Sequence, residues 1–118
     1  MTINMNGTAI MQVVATLFIA GCAGYDVTFG QLVVVALLVL IASVGTPAAP
    51  GAGAIILFTI LSGLGYVNDS ALLAYSLILA INRPIEMLLT ALNVVGDSAA
   101  SIYVAKSEGM LDETKYNA

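Results

Sequence analysis

Residues 45–53, with the sequence Gly-Thr-Pro-Ala-Ala-Pro-Gly-Ala-Gly, interrupt a long apolar stretch of this chain. The apolar runs on either side, 32–44 and 54–64, are each shorter than the roughly 20 residues of a membrane-spanning helix. Two prolines and three glycines cannot continue a helix. The pattern predicts two half-length helices joined by an extended tip, a re-entrant hairpin over residues 31–65. One kinked helix, or two short helices meeting at an ordinary loop, are the alternatives that the spacing leaves open.

The composition of the chain indicates a membrane protein. Of its 118 residues 60% are hydrophobic and 8% are charged, whereas about 25% of the residues of soluble domains are charged. Seven acidic residues against three basic ones exclude a basic nucleic-acid-binding surface. Without histidine, and with Cys22 as the single cysteine, a nucleophile–base pair or an intramolecular disulfide is not expected. We therefore expect an all-α integral membrane protein with several passes through the cell (inner) membrane, in contact with lipid, and no enzyme.

Three further segments complete the predicted architecture. Residues 1–24 contain an apolar run of about 15 residues, which predicts a half-span or the end of a longer, broken helix. The segment 70–105 would be about 50 Å long as one helix, which exceeds a bilayer core of about 30 Å. It is therefore expected to tilt, bend or break, and Pro84 is the obvious place. Residues 106–118 form a polar C-terminal tail.

A polar stripe follows one face of the last predicted helix. At about 100° per residue, five side chains fall within an arc of roughly 80°: Asn82, Glu86, Thr90, Asn93 and Asp97. Carboxylates inside a membrane are costly unless paired or hydrated, and they mark an ion or substrate path. Asp97, with Asn93 one turn earlier, is the stronger candidate for a hard cation such as Na⁺. An ion pair with Arg83 is the alternative for Glu86, and a hydrogen bond to its own helix is the alternative for Thr90.

Polar residues also precede the first apolar run. Residues 4–8, Asn-Met-Asn-Gly-Thr, are consistent with a helix start in which Asn6 or Thr8 is the N-cap. The sequence alone favours this N-cap, and the alternative is an unwound segment whose carbonyl and amide groups bind an ion, as in secondary transporters.

Four blocks of the sequence occur in the order and spacing of one known family. They are TINMNGT at 2–8, SVGTP at 43–47 followed by PGAG at 50–53, NVVGD at 93–97, and VAKSEG at 104–109. Over nearly its whole length the chain resembles the C-terminal third of the dicarboxylate/amino acid:cation symporters, the glutamate-transporter family. The resemblance implies a partial transport domain. In it, residues 1–24 form the second half of a broken seventh helix, 31–65 a second re-entrant hairpin that gates the extracellular side, and 70–105 the eighth helix.

The resemblance also implies three groups of binding residues. One Na⁺ site carries over onto Asn4, Asn93 and Asp97. A second Na⁺ site, between the unwound segment and the hairpin tip, carries over onto Thr2, Met5, Ser43, Val44 and Thr46, partly through carbonyl groups. The substrate site carries over onto Val44, Gly45, Pro50, Gly51, Glu86, Thr90 and Asn93.

The activity implied by the resemblance is secondary active symport. Such a protein couples the entry of Na⁺, or of H⁺, to the uptake of a small amino acid or dicarboxylate by alternating access, with no cofactor beyond the coupling ion. The family is trimeric through a scaffold outside this sequence, so the expected partners are a missing N-terminal portion and, in the complete protein, two further copies. The alternative is a small non-transporting membrane protein that interacts with another transporter subunit.

Three positions depart from the family pattern. Asn6 stands where the family has an aspartate, which removes a carboxylate from a third Na⁺ site and indicates fewer coupled ions or coupling to H⁺. Glu86 is one methylene longer than the family's aspartate that holds the substrate's amino group. Leu89 occupies the position of the arginine that clamps an acidic side chain, and Arg83 lies at the edge of the stripe.

The leucine at position 89 leads us to expect weak or no binding of aspartate. A neutral amino acid or another small carboxylate is the expected substrate, because Leu89 offers no charge to a second carboxylate. Equilibrium binding of aspartate to the complete transporter, with and without Na⁺, checks this expectation. A tight, Na⁺-dependent aspartate isotherm would contradict it.

Overall fold

The chain folds into α-helices in the computed structural model, which describes residues 5–47 and 49–116. The helices are α1 (Asn6–Cys22), α2 (Phe29–Gly45), α3 (Ala52–Leu64), α4 (Asp69–Ser107) and α5 (Glu113–Tyr116). No strand occurs in these described ranges, in agreement with the all-α expectation. Among the described helices, α4 alone has the length and apolar composition to cross a membrane, and α1, α2 and α3 are shorter apolar helices.

Local sequence signals determine where α2 and α3 begin and end. At the start of α2, the Thr28 hydroxyl accepts from the backbone N–H of Gln31, and the Gln31 side chain accepts from the backbone N–H of Thr28. This reciprocal capping satisfies two N–H groups that the helix itself cannot. At the other end, Thr46 is extended ahead of Pro47, and α3 starts after Gly51 in a left-handed conformation with φ of 82°. The proline- and glycine-rich segment therefore separates two helices.

Helix α1 packs against each of the three other long helices. Ile19 of α1 lies fully buried with Leu57 and Leu61 of α3 in the larger core cluster. A second cluster joins Val35 and Val39 of α2 to α3. Because α1 is the common neighbour, its position determines how the α2–α3 pair lies relative to α4.

Two glycines bring α1 and α4 into close contact. A Cβ atom on Gly7 would lie 2.9 Å from the backbone oxygen of Leu89, and a Cβ on Gly96 would lie 3.1 Å from Oδ1 of Asn6. Small residues at helix interfaces in membranes allow such close approach, where dispersion forces and polar contacts drive association.

At the other end of α1, the loop that follows this helix contacts the loop that precedes α4 through polar and aromatic groups. The rings of Tyr25 and Tyr66 stack with centroids 4.5 Å apart. The Asn68 amide donates to the carbonyl of Ala23 at 3.2 Å, while its oxygen accepts from the Ala71 N–H and caps α4. These contacts hold the end of α1 next to the start of α4.

Helix α4 continues through Pro84 as one helix of 39 residues, about 58 Å long. Of the outcomes expected for this segment, a break at Pro84 is thus wrong. The proline removes one backbone hydrogen bond, and the helical segments on both sides, 69–83 and 85–107, are long enough to maintain the helix. Prolines are tolerated in membrane helices where neighbouring helices, Ser or Thr side chains, ordered water or local adjustments of the helix satisfy the freed backbone group.

The polar tail adds the four-residue helix α5, which an ion pair between Lys106 and Glu113 connects to the end of α4 at 3.4 Å. Hydrogen bonds from the Thr114 hydroxyl and the Lys115 backbone N–H lower the pKa of Asp112 below its usual value. A lowered carboxyl pKa stabilises this turn above the unfolded-state pKa, and the stabilisation is lost as the pH falls through the folded-state value.

The glycine contact between α1 and α4 predicts a large difference between two alanine substitutions in the same helix. Gly7→Ala should destabilise the protein by about 1–3 kcal/mol, because the new methyl group meets the backbone of α4, which cannot yield. Gly21→Ala, where nothing lies within 4 Å, should be neutral or stabilising by up to about 1 kcal/mol. Thermal unfolding in detergent micelles measures both variants, and equal transition temperatures would contradict the close contact.

Candidate functional site

Among the described residues, no side chain near the start of α1 caps this helix. Its N-cap is Met5, which makes no side-chain capping bond, and Asn6 is the first helical residue. The interpretation of Asn6 or Thr8 as a local N-cap is therefore wrong. The acceptor comes from α4, because the backbone N–H of Gly7 donates to Oδ1 of Asn93 at 2.9 Å.

Both ends of the Asn93 amide contact α1. While its oxygen accepts from Gly7, its Nδ2 donates to Oγ1 of Thr8 at 3.3 Å and lies 3.7 Å from the sulfur of Met5. These contacts determine the orientation of the amide and direct its oxygen to the start of α1. An amide oxygen has two lone pairs, so Oδ1 can also bind a cation while it accepts from Gly7.

A cleft of about 430 Å³ lies between the start of α1, the tip between α2 and α3, and the polar stripe of α4. Its volume is in the range of small-ligand sites in proteins. The cleft brings together these predicted residues: Met5, Pro50, Gly51, Glu86, Thr90, Asn93 and Asp97. Its other lining residues are Thr8, Met11, Ala49, Gly53, Arg83, Met87, Leu89 and Val94.

Other predicted site residues lie away from this cleft. The hydroxyl groups of Ser43 and Thr46 donate to carbonyl groups of their own helix, those of Leu40 and Ala42. Val44 is 52% exposed. Gly45 lines a separate shallow groove between α2 and α3. Two further predicted Na⁺ ligands, Thr2 and Asn4, lie outside the described residues.

Both polar alternatives considered for the middle of α4 are present in the structure. Glu86 accepts from the Asn82 amide at 2.8 Å and from the Arg83 guanidinium at 3.3 Å. The Thr90 hydroxyl donates to the carbonyl of Glu86 at 2.8 Å. Three of these side chains nevertheless line the cleft: Arg83, Glu86 and Thr90. Their hydrogen bonds within α4 are therefore compatible with a position at the cleft.

The carboxylate of Asp97 differs from that of Glu86. Within the described ranges it accepts no side-chain or backbone hydrogen bond and forms no ion pair, and it lines the cleft one turn beyond Asn93. Asp97 is an exposed residue in this structure, and a carboxylate within an apolar helical segment is a candidate cation ligand.

Sequence reasoning missed a second polar row, on the face of α1 that contacts the hairpin. Gln12 is fully buried and donates to the carbonyl of Gly53, and the hydroxyl of Tyr75 donates to the carbonyl of Ala54 at 3.0 Å. Both bonds hold the first turn of α3. The four-residue spacing of Thr8, Gln12 and Thr16 is the signal that could have revealed this row.

The structure has a cleft between a polar helix stripe and a proline- and glycine-rich tip. Its sequence matches place this all-helical chain in a class of membrane transport proteins. The model of the sodium:dicarboxylate symporter family matches residues 1–107, and the chain belongs to this family. The resemblance to these symporters is thereby confirmed, and the family to which the chain belongs is one of transport proteins rather than enzymes.

Several excitatory amino acid transporters are similar to the chain. One from Onchocerca volvulus is 38% identical over 113 residues, which cover 94% of this chain and 22% of the relative. Excitatory amino acid transporter 2 from Homo sapiens is 39% identical, over 91% of this chain and 18% of the relative. Excitatory amino acid transporter 5 from Mus musculus is 34% identical, over 85% of this chain and 17% of the relative. The chain thus spans about a fifth of the length of these relatives. No solved structure matches the chain.

The central position of Asn93 predicts a clear effect of its removal on stability. Asn93→Ala leaves the Gly7 N–H without an acceptor in a low-dielectric contact, which should cost about 1–3 kcal/mol. Ser98→Ala is the matched control on the same helix, since it removes only a hydroxyl bonded to the carbonyl of Val94 and should change stability by less than about 0.5 kcal/mol. Thermal unfolding in micelles compares them, and equal losses would show that Asn93 does not join the helices.

Proposed function

We propose that the chain forms the cation- and substrate-binding part of a symporter that couples Na⁺ entry to the uptake of a small amino acid or dicarboxylate. The observation that carries this proposal is the cleft. It joins an oriented amide, a carboxylate that has no partner among the described residues, and a proline- and glycine-rich tip. Membership of the sodium:dicarboxylate symporter family supports the coupling to Na⁺.

The cation site in this proposal lies at Asn93 and Asp97. The amide oxygen is oriented by its bond to Gly7, and the Asp97 carboxylate supplies the negative charge that a monovalent cation neutralises. Thr2, Asn4, Met5, Ser43, Val44 and Thr46 are the further ligands we propose for Na⁺, partly through carbonyl groups. With Asn6 in place of a family carboxylate, H⁺ is the alternative coupling ion.

The substrate in this proposal occupies the same cleft, one to two helical turns away. Glu86 and Thr90 on α4 face Pro50 and Gly51 at the tip, and Asn93 contributes from the cation side. Val44 and Gly45 complete the set that we propose. They lie outside the cleft in this structure, so their participation requires movement of the tip.

Alternating access in this proposal uses the hairpin as its moving part. We propose that α2, the tip and α3 form a re-entrant hairpin over residues 31–65, and that residues 1–24 form the second half of a broken membrane helix. The tip covers one side of the cleft, and few contacts hold α3 against α4. A cation that binds more tightly when the tip is closed shifts the equilibrium toward that state by its difference in affinity.

The complete assembly in this proposal contains more than the described helices. We propose a multi-pass protein of the cell inner membrane, a homotrimer in which the N-terminal portion of the transporter supplies the scaffold. The broad apolar surfaces of α2 and α4, including Leu37, Ile41, Leu73 and Leu88, are suited to contact lipid or such neighbouring helices.

Replacement of the Asp97 carboxylate tests the proposed function. Asp97→Asn should raise the Na⁺ concentration for half-maximal uptake by at least about tenfold, because it removes the negative charge of the proposed cation site. Asp69→Asn makes the same chemical change in the first turn of α4, outside the cleft, and should leave the Na⁺ dependence unchanged. The tagged chain is isolated from its native membrane with any polypeptide that co-purifies, and uptake is measured in proteoliposomes with an imposed Na⁺ gradient.

Two results would count against the proposal in different ways. An unchanged Na⁺ dependence in Asp97→Asn would refute the cation site. Absence of gradient-driven uptake by the unmodified preparation, for neutral amino acids and dicarboxylates alike, would refute the symporter function and favour a non-transporting protein that interacts with another transporter subunit.

A further inference from the structure

The hydroxyl group of Thr16 on α1 lies inside the protein without a hydrogen-bond partner among the described residues. Thr16 is fully buried, and its Oγ1 forms no hydrogen bond within residues 5–47 and 49–116. Burial of an unpaired hydroxyl is costly in an apolar medium. Several other hydroxyl groups avoid this cost, because they donate to a carbonyl of their own helix: those of Ser43, Thr59, Ser76, Thr90 and Ser98.

A second buried oxygen without a partner in the described part of the chain lies one helical turn before Thr16. Gln12 is also fully buried, and its Nε2 donates to the carbonyl of Gly53 at 3.4 Å, whereas its Oε1 accepts no hydrogen bond from the described residues. Residues four apart share a helix face, with their Cβ atoms about 5–6 Å apart. The two oxygens therefore belong to one stretch of the second polar row, and they form no bond with each other.

This stretch of α1 lies between the cleft and the apolar core. On one side, Gly53 and Thr8 line the cleft, and a Cβ atom on Gly53 would lie 3.3 Å from Cγ2 of Thr8. On the other side, Ile19 packs in the larger core cluster with Leu57 of α3. Because Gly53 both lines the cleft and accepts from Gln12, the cleft is the nearest source of a small polar molecule for the two oxygens.

We propose that an ordered water molecule binds between α1 and α3 and bridges Oε1 of Gln12 and Oγ1 of Thr16. An amide oxygen only accepts hydrogen bonds, whereas a hydroxyl both donates and accepts. The water donates to Gln12 and exchanges a second hydrogen bond with Thr16. Buried waters in proteins bind in this way to polar groups that have no other partner, with about two to four hydrogen bonds each.

The charge of the site favours water over a cation. Both oxygens belong to uncharged side chains, and the acidic side chains that line the cleft in the described ranges, Glu86 and Asp97, belong to α4. A cation between α1 and α3 would be a buried charge without a counterion, which costs far more than a buried neutral molecule. Water satisfies both oxygens and adds no charge.

The bound water makes the interface between α1 and the hairpin easier to open. When α3 moves away and the bond between Gln12 and Gly53 breaks, Gln12 and Thr16 keep the water as a partner. Fewer buried groups are then left unpaired, which lowers the cost of the separation. This consequence rests on the hairpin movement proposed above, whereas the water site itself does not.

Magnetisation transfer from water, measured by solid-state NMR, tests the site without a mutation. The tagged protein is isolated with any co-purifying polypeptide and reconstituted in lipid bilayers. Ile19 is the internal control, because Ile19 and Thr16 are both fully buried on α1. Transfer to the side chains of Thr16 and Gln12 should be at least about threefold faster than transfer to Ile19, because a bound water lies next to the first two.

Replacement of the Thr16 hydroxyl gives a result whose sign depends on the water. Thr16→Val keeps the shape of the side chain. With the water bound, the variant removes one of its partners, and the transition temperature of thermal unfolding should fall by about 4 °C or more. Without a bound water, the variant removes only an unpaired buried hydroxyl, and the transition temperature should rise. Thr59→Val is the matched control and should shift it by less than about 2 °C, since the Thr59 hydroxyl is exposed and bonded to the carbonyl of Ile55.

Two results would overturn the water site. One is transfer from water to Thr16 that is no faster than transfer to Ile19. The other is an unchanged or raised transition temperature in Thr16→Val. Should Thr16→Val fail to fold, the transfer measurement on the unmodified protein decides. Neither measurement requires transport, so loss of the symporter function in the uptake assay and loss of the water site are separate outcomes.

Discussion

The backbone N–H groups at the start of α1 need hydrogen-bond acceptors in a medium that offers little water. A helix leaves its first N–H groups without intrahelical partners, and inside a bilayer each unsatisfied group costs several kcal/mol. Here no local side chain within the part of the chain that the structure describes caps α1. Asn93, 86 residues further along the chain, accepts from Gly7 instead. The start of one helix is therefore completed by the polar stripe of another.

This long-range cap explains why the cleft has its position. It holds the start of α1 against α4 at the level of Asn93, and Gly7 and Gly96 allow the two backbones to approach closely. The hairpin tip is connected to the same region through Gln12 and Gly53. Polar groups from three elements thus surround one space, and the same contact that stabilises α1 fixes the orientation of an amide that lines this space.

The parts of this architecture that depend on neighbouring residues were predictable from the sequence. The proline- and glycine-rich segment predicts the separation of α2 from α3, and the spacing along α4 predicts that Glu86 and Asp97 share a face. The cap of α1 was not predictable from local pattern, because Asn93 is distant in sequence. The row that contains Gln12 was overlooked although its four-residue spacing was visible, and the carbonyl that Gln12 contacts was not predictable, because Gly53 is 41 residues away in the sequence.

Hydrogen exchange at the Gly7 amide, measured by NMR on the protein in lipid nanodiscs, tests the central contact most directly. As an amide of the first helical turn, Gly7 has no partner within its own helix, so its protection reports on Asn93 alone. The account predicts exchange at least about tenfold slower than at Asn6, with this protection lost in Asn93→Ala. Equal exchange at Gly7 and Asn6, or protection that persists in Asn93→Ala, would contradict it.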